Sequence, residues 1–393
     1  MIPLMKSTFL EEEKTKKELA KFIMNSRKLS MGEKCEEFEN QFAKFQGCED
    51  AILFNSGGSA NLAIVQTLLN LGKLKTGDKI GFSALTWSTN VMPIIQLGLI
   101  PVAIDCDLNK INVTSEKIKE VLKKEKINGF FATNVLGLTG DLKEIKELCK
   151  ENNIVFFEDN CESLGTEINN QKAGNFGIAS SCSFFVAHHM STIEGGMVCT
   201  NDNEVGEMLR IVRANGWDRN LQPEQQIKWR NKSNIKSEFQ AKYTFYDLGY
   251  NLRPTEITGF LGIEQLKYLE KNIQKREKNF REIINVVNNN SDFVKIDSNH
   301  LNIVSSFAFP FLCKTKELRD KYLYEFSGAG IEIRPMIAGN IEKQPFYKKY
   351  VSKSSTLSNT DIIHSNGFYC GNYPELIKTD LNTIKMCATK KVI

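Results

Sequence analysis

Histidine is scarce in this chain, with four in 393 residues, and lysine, abundant elsewhere, is missing between Lys172 and Lys228. No two cysteines stand in a Cys-x-x-Cys spacing. The ten that occur (Cys35, Cys48, Cys106, Cys149, Cys161, Cys182, Cys199, Cys313, Cys370 and Cys387) are scattered without metal-ligand spacing, so they read as reduced thiols and not as a disulfide framework or a metal site. No apolar run reaches the roughly 20 residues that a membrane span needs; the longest, Val91 to Ile104, is broken by Gln96 and two prolines. The first residues, MIPLMKSTFLEEEK, hold no continuous apolar stretch after a basic start, so a secretory signal is not expected and a cytoplasmic location is. Neither sign of charge dominates. A net charge of +4 is spread over the whole chain without a basic stripe, which leaves neither nucleic acid nor a membrane as an expected partner.

What is present is an ordinary globular composition, 41% apolar and 25% charged, in a chain longer than the roughly 100 to 200 residues of one domain. The expected division is a large α/β domain over residues 1–270, with two surface helices at its start, and a connecting helix with a smaller α+β unit over residues 271–393. From Ala51 onward short apolar runs alternate with helical segments: strands near 51–54, 79–82, 102–105, 129–135 and 154–157, with helices near 60–69, 87–96, 115–123 and 142–152. That rhythm predicts a mostly parallel sheet covered by helices, with a site at the carboxyl ends of the strands. The first strand runs into Asn55-Ser56-Gly57-Gly58-Ser59 and then a helix, a geometry that aims backbone N–H groups and a positive helix end at a phosphate. Trp87 and Asp159 stand at two other strand ends. Singly, each reads as readily as a core tryptophan and a helix cap.

The stretch Ser183 to Thr200, SFFVAHHMSTIEGGMVCT, places His188 and His189 in a short polar segment between an apolar run and a Glu194-Gly195-Gly196 turn. It reads as strand, exposed loop, turn, strand. Side chains on such a loop face a cleft more often than a core, although an isolated His-His pair is more often structural. Residues 215–237 read as a long polar excursion, 255–269 and 271–289 as two successive helices, and the remainder as strand-like pieces (305–312, 331–333) around a helix over 316–326.

Taken together, MGEKCEEFENQFAKFQG, NSGGSANL, LTWSTN, FFEDNCESLG, SFFVAHH, EGGMV, GYNLRPTE and GIEIRP follow one another in the order and spacing of the fold-type I pyridoxal phosphate enzymes that act on nucleotide-linked keto sugars. Nearly the whole chain resembles that sugar aminotransferase family. The resemblance implies that Gly57, Gly58, Ser59 and Ser183 hold the cofactor phosphate, with Asn251 reaching in from the neighbouring subunit of a homodimer with a shared active site. It implies that Trp87 stacks on the pyridine ring, that Asp159 pairs with the ring nitrogen, and that Glu162 lies near the ring hydroxyl. A carboxylate beside the ring nitrogen favours its protonated form, which makes the ring a better electron sink.

One position departs from the common pattern. Where the aminotransferases carry the lysine that captures the cofactor aldehyde, this chain has His188, and no shift of alignment supplies a lysine. An imidazole cannot form that bond, so pyridoxal or pyridoxamine phosphate would be held noncovalently, while histidine remains a proton carrier near neutrality. That exchange, with ANGWDRNL and NGFYCGN, resembles the nucleotide-sugar 3-dehydratases of the family, most of all those acting on GDP-linked 4-keto-6-deoxymannose. The implied reaction removes the C3 hydroxyl with L-glutamate as amino donor. His188 and Asp159 are then the catalytic residues. A related branch carries an iron-sulfur cluster on closely spaced cysteines, and the gap between Cys199 and Cys313 makes that cofactor unexpected here. Arg219, Arg253 and Arg334 are candidates for the carboxylates of glutamate, each equally readable as a surface ion pair. Two other readings stay open: an aminotransferase that tolerates histidine, and an inactive homologue.

Overall fold

Short runs rich in Ile, Val, Phe and Ala, each followed by a helix, build the central layer of the chain in a computed structural model that describes residues 1–390. The strands are β1 (Asp50–Phe54), β2 (Lys79–Ser83), β3 (Ile100–Ile104), β4 (Gly129–Thr133) and β5 (Val155–Asp159). A two-residue hairpin follows, β6 (Glu167–Ile168) and β7 (Gln171–Lys172), and then β8 (Ala179–Ser183) and β9 (Gly196–Thr200). Seven of them form one sheet in the order β1-β9-β8-β5-β4-β2-β3. Pairings β2–β3, β2–β4, β4–β5 and β5–β8 are parallel, and β9 runs antiparallel to both β1 and β8. Near-complete burial of these strands reflects helices on both faces, the usual state of a parallel sheet.

This topology brings the carboxyl ends of β1, β2, β4, β5 and β8 to one edge, so that Phe54, Ser83, Thr133, Asp159 and Ser183 finish side by side. β8 is the strand that the sequence hid. Its residues, Ala-Ser-Ser-Cys-Ser, are small and polar yet wholly buried, and the apolar Phe184-Phe185-Val186, expected as the strand, instead begins the loop beyond it. Small side chains are needed here because the Gly57–Asn70 helix comes so close: a Cβ on Gly57 would lie 2.7 Å from Cβ of Ser183. At the head of β9, a Cβ on Gly196 would lie 2.2 Å from the carbonyl oxygen of Ser56.

The second sheet is three-stranded and antiparallel, β10 (Ala308–Leu312), β12 (Gly367–Gly371) and β11 (Ile333–Pro335) in that order. In place of two helices, residues Glu256–Asn289 form a single helix of 34 residues. No glycine or proline interrupts it near Glu270, and only its packing partner changes. Its first half lies against the Glu33–Gln46 helix, where a Cβ on Gly262 would meet the Phe38 ring. Its second half presents Phe280, Ile283, Ile284 and Val287 to the core that also contains Phe309 and Phe311 of β10. Residue 270, the expected junction of two units, is therefore inside a continuous helix. The excursion at 215–237 also differs from expectation: Pro223–Lys232 is a helix, with Pro223 at its first turn and the Gln222 N–H donating to Gln225 Oε1 at 3.0 Å. Proline at the first helical position was the signal for it. All ten cysteines are unpaired, and among the described residues no helix is long and apolar enough to cross a membrane.

A buried ion pair fastens the front of the molecule. Arg213 Nη1 lies 2.5 Å from Glu39 Oε1 and 2.7 Å from the Leu53 carbonyl, while the Leu53 N–H donates to the same Glu39 oxygen at 2.7 Å. Both side chains are almost fully enclosed. Glu39→Gln leaves the guanidinium buried without its counter-charge and is expected to cost about 3–5 kcal/mol in urea unfolding; a loss below about 1 kcal/mol would contradict this account of the pair.

Candidate active site

The edge where the strands finish opens into a cavity of about 450 Å³. Asp159, the last residue of β5, forms its floor and is 5% exposed. Its Oδ2 accepts hydrogen bonds from Asn61 Nδ2 at 2.8 Å and Asn90 Nδ2 at 2.7 Å, and its Oδ1 accepts one from the Cys161 N–H at 2.9 Å. The donors are neutral, so the carboxylate is fixed in place without a cation to cancel its charge. Neither asparagine was singled out from the sequence. The available signal was an amide inside an otherwise apolar helix, where burial demands a partner.

Gly57 and Gly58 head the Gly57–Asn70 helix and line the cavity, with no protein acceptor for their N–H groups among the described residues. Ser56 caps that helix, its Oγ accepting from the Ser59 N–H at 3.0 Å and donating to Ser59 Oγ at 2.9 Å. Ser56 lines the cavity, and Ser59 is not among the lining residues. Ser183 closes the same corner. Two free N–H groups, hydroxyls and a positive helix end make a fitting cradle for a phosphate, and Asp159 supplies a carboxylate in the same cavity. These residues fit a pyridoxal phosphate group. Trp87, which precedes the Ser88–Gln96 helix, overhangs the cavity with 57% of its surface exposed.

Glu162 accepts from the Leu136 N–H at 2.9 Å, and Leu136 adopts a left-handed backbone (φ 61°) to present it. Burial raises the Glu162 carboxyl to about 8, opposed by that hydrogen bond and helped by the nearby Asp159 charge. The side chain therefore carries its proton at neutral pH.

His188 lies on the loop between β8 and β9 and lines the cavity. The ring is half-buried, with Nδ1 sealed from solvent and without a hydrogen-bond partner. It packs against Phe307 with centroids 5.2 Å apart and against Phe185 at 6.4 Å. Burial lowers His188 to about 4, partly opposed by the Asp159 charge, so the imidazole is neutral near pH 7. His189 turns the other way and is 1% exposed, its Nε2 donating to the Ser305 carbonyl at 2.8 Å; the expectation of an exposed loop fails there, because the backbone of this segment packs against the Glu256–Asn289 helix. No lysine lines the cavity among the described residues. Phe307 and Tyr369, from the second half of the chain, close it and were not anticipated as site residues.

Besides Ser59, four expected residues do not line this cavity within one chain. Asn251 is exposed, its backbone bridged to Ala214. Arg219 stacks on Trp217 at 4.9 Å and shares an outer cleft with Arg253 and Lys28. Arg334 is exposed and pairs with Glu332 at 2.5 Å.

Residues 10–387 match the model of the DegT/DnrJ/EryC1/StrS aminotransferase family. The chain is 34% identical to a GDP-4-keto-6-deoxy-D-mannose 3-dehydratase of Escherichia coli O55:H7 over 360 residues, 89% of this chain and 90% of that protein. It is 32% identical to the protein of the same name from Yersinia pseudotuberculosis over 98% of each. It superposes on the crystal structure of a GDP-4-keto-6-deoxymannose-3-dehydratase with a trapped PLP-glutamate geminal diamine with a TM-score of 0.90, at 31% identity, covering 99% of this chain and 100% of that one.

In the cofactor-free protein the infrared band of a protonated carboxyl is expected at pH 7, to fade as the pH rises through about 8, and to be missing in Glu162→Gln. A band already lost by about pH 6 would contradict the burial argument.

Proposed function

The chain belongs to the DegT/DnrJ/EryC1/StrS aminotransferase family and is a pyridoxal phosphate-dependent enzyme of sugar modification, and from that premise we propose that it removes the C3 hydroxyl of a nucleotide-linked 4-keto-6-deoxyhexose. GDP-4-keto-6-deoxymannose is the proposed substrate, on the likeness to the two named dehydratases, and L-glutamate the amino donor. The observation that carries the reading is the neutral His188 imidazole on the wall of a cavity that no lysine lines among the described residues.

When bound as its amine form, the coenzyme supplies an electron sink next to a carbon that can give up a proton. Asp159 would pair with the ring nitrogen and favour its protonated form, held in place by the amides of Asn61 and Asn90. Trp87 would cover one face of the ring. Gly57 and Gly58, with Ser56, Ser59 and Ser183 around them, would hold the phosphate, and protonated Glu162 would donate to the oxygen on the ring. His188 would carry the proton between the carbon and the departing C3 oxygen, a role that requires a neutral imidazole. A lysine there would return the proton and complete a transamination. The net change balances: the sugar loses one oxygen, and glutamate becomes 2-oxoglutarate and ammonia.

We further propose that two copies share the site. Tyr243, Phe245, Leu248 and Phe239, on or near the excursion, are all more than half exposed beside Asn251, an apolar surface of the kind that pairs subunits. Such pairing would carry Asn251 to the partner's phosphate cradle and Arg219 and Arg253 toward glutamate's carboxylates. The part of the chain following residue 270 then acts as the smaller unit, contributing Phe307 and Tyr369 as a wall.

Incubation with glutamate and a panel of GDP-, CDP-, UDP- and dTDP-linked 4-keto-6-deoxy sugars is expected to give ammonia, 2-oxoglutarate and a 3-deoxygenated sugar from the GDP compound first. A stable aminosugar would show that the enzyme is an aminotransferase instead. Borohydride reduction of the pyridoxal phosphate form is expected to leave no cofactor on residues 173–227, and a labelled peptide there would refute noncovalent binding.

A further inference from the structure

Behind the loop that carries His188, on the side away from the cavity, lies a buried cation that makes no direct ion pair among the described residues, the Glu375 carboxylate favouring its charge from further off. Arg276, in the second half of the Glu256–Asn289 helix, is 4% exposed. Its Nε donates to Asn272 Oδ1 at 3.0 Å, and its Nη1 donates to the carbonyls of Ser306 at 3.3 Å, Phe307 at 3.2 Å, and Asn372. One turn earlier on the same helix, Asn272 turns its Nδ2 to the His189 carbonyl. Asn372 returns hydrogen bonds to the carbonyls of Arg276 at 2.9 Å and Ser306 at 3.3 Å.

Each group so held borders His188. The His189 carbonyl belongs to the next residue. Phe307 carries the ring that packs on the imidazole, and Asn372 follows β12, which carries Tyr369 into the cavity. A buried guanidinium without a directly bonded carboxylate is a costly way to fill space, and an apolar side chain of similar volume would be cheaper. What the guanidinium provides instead is several donors in a rigid plane that fix segments from three parts of the chain relative to one another. Such fixing is needed here more than with a lysine, because an imidazole makes no covalent bond to the coenzyme.

We propose that Arg276, acting through Asn272 and the 306–307 peptide, is a positioning residue that sets the His188 imidazole in its place for proton transfer, an inference that rests on the dehydration reading above. The test uses the full chain with Asn272→Ala, Arg276→Met and Arg276→Lys. In the cofactor-free protein, amide hydrogen exchange over residues 185–191 is expected to quicken about tenfold or more in Asn272→Ala and Arg276→Met while β4 and β5 keep their protection, with Arg276→Lys nearer the parent. In the loaded enzyme, kcat is expected to fall about tenfold to a hundredfold with KM for the sugar nucleotide within about twofold, since misplacing the base by about an ångström leaves substrate binding intact. Unchanged exchange over 185–191 overturns the inference, as does quickened exchange with unchanged kcat. If Arg276→Met loses its fold and all segments exchange together, Asn272→Ala decides. If no keto sugar is dehydrated at all, the functional reading has failed, and the exchange arm still decides whether the loop is clamped.

Discussion

A coenzyme that the protein cannot tether must be held by shape and charge alone, and this constraint organises the molecule around the carboxyl edge of its main sheet. The helix end at Gly57 supplies the anion cradle. β5 supplies the Asp159 carboxylate, and the loop beyond β8 supplies an imidazole in place of an amine. The sheet order β1-β9-β8-β5-β4 makes these three neighbours, although 131 residues separate Gly57 from His188 along the chain.

Burial then sets the proton states. The cavity raises Glu162 and lowers His188, so both are uncharged near neutrality, while Asp159 sits among amides and a main-chain N–H. A donor, an acceptor and a fixed negative charge thus share one small volume, and their separation follows from environment and not from residue type. Outside the cavity the Arg276 network gives the loop its backing. It works on carbonyls, so it fixes backbone as well as rings.

Much of this was legible before the structure. Strand and helix alternation up to Asp159 carried the fold, and the strand ends carried Asp159, Trp87, Gly57 and Gly58 to the cavity. β8 was hidden because its serines bear no apolar pattern; their burial comes from a helix passing overhead, a tertiary fact. The break expected at Glu270 is missing because the helix changes what it packs against without ending there. Asn61 and Asn90 were marked only as amides within apolar helices, and Phe307 and Tyr369 escaped notice since nothing local marks an aromatic ring as facing a cavity assembled from distant segments. The candidate arginines Arg219, Arg253 and Arg334 lie outside the cavity of a single chain, where sequence spacing has no bearing on reach.

The central claim is that a neutral imidazole moves the proton where a lysine would have captured the aldehyde. Its most direct test is His188→Asn, which keeps the side chain polar and similar in reach but removes the base. The variant is expected to bind pyridoxamine phosphate within a few-fold of the parent and to lose dehydration by about 10²–10⁴-fold, the span of general acid–base catalysis. Retained turnover with bound cofactor would contradict the account and assign the proton to another group.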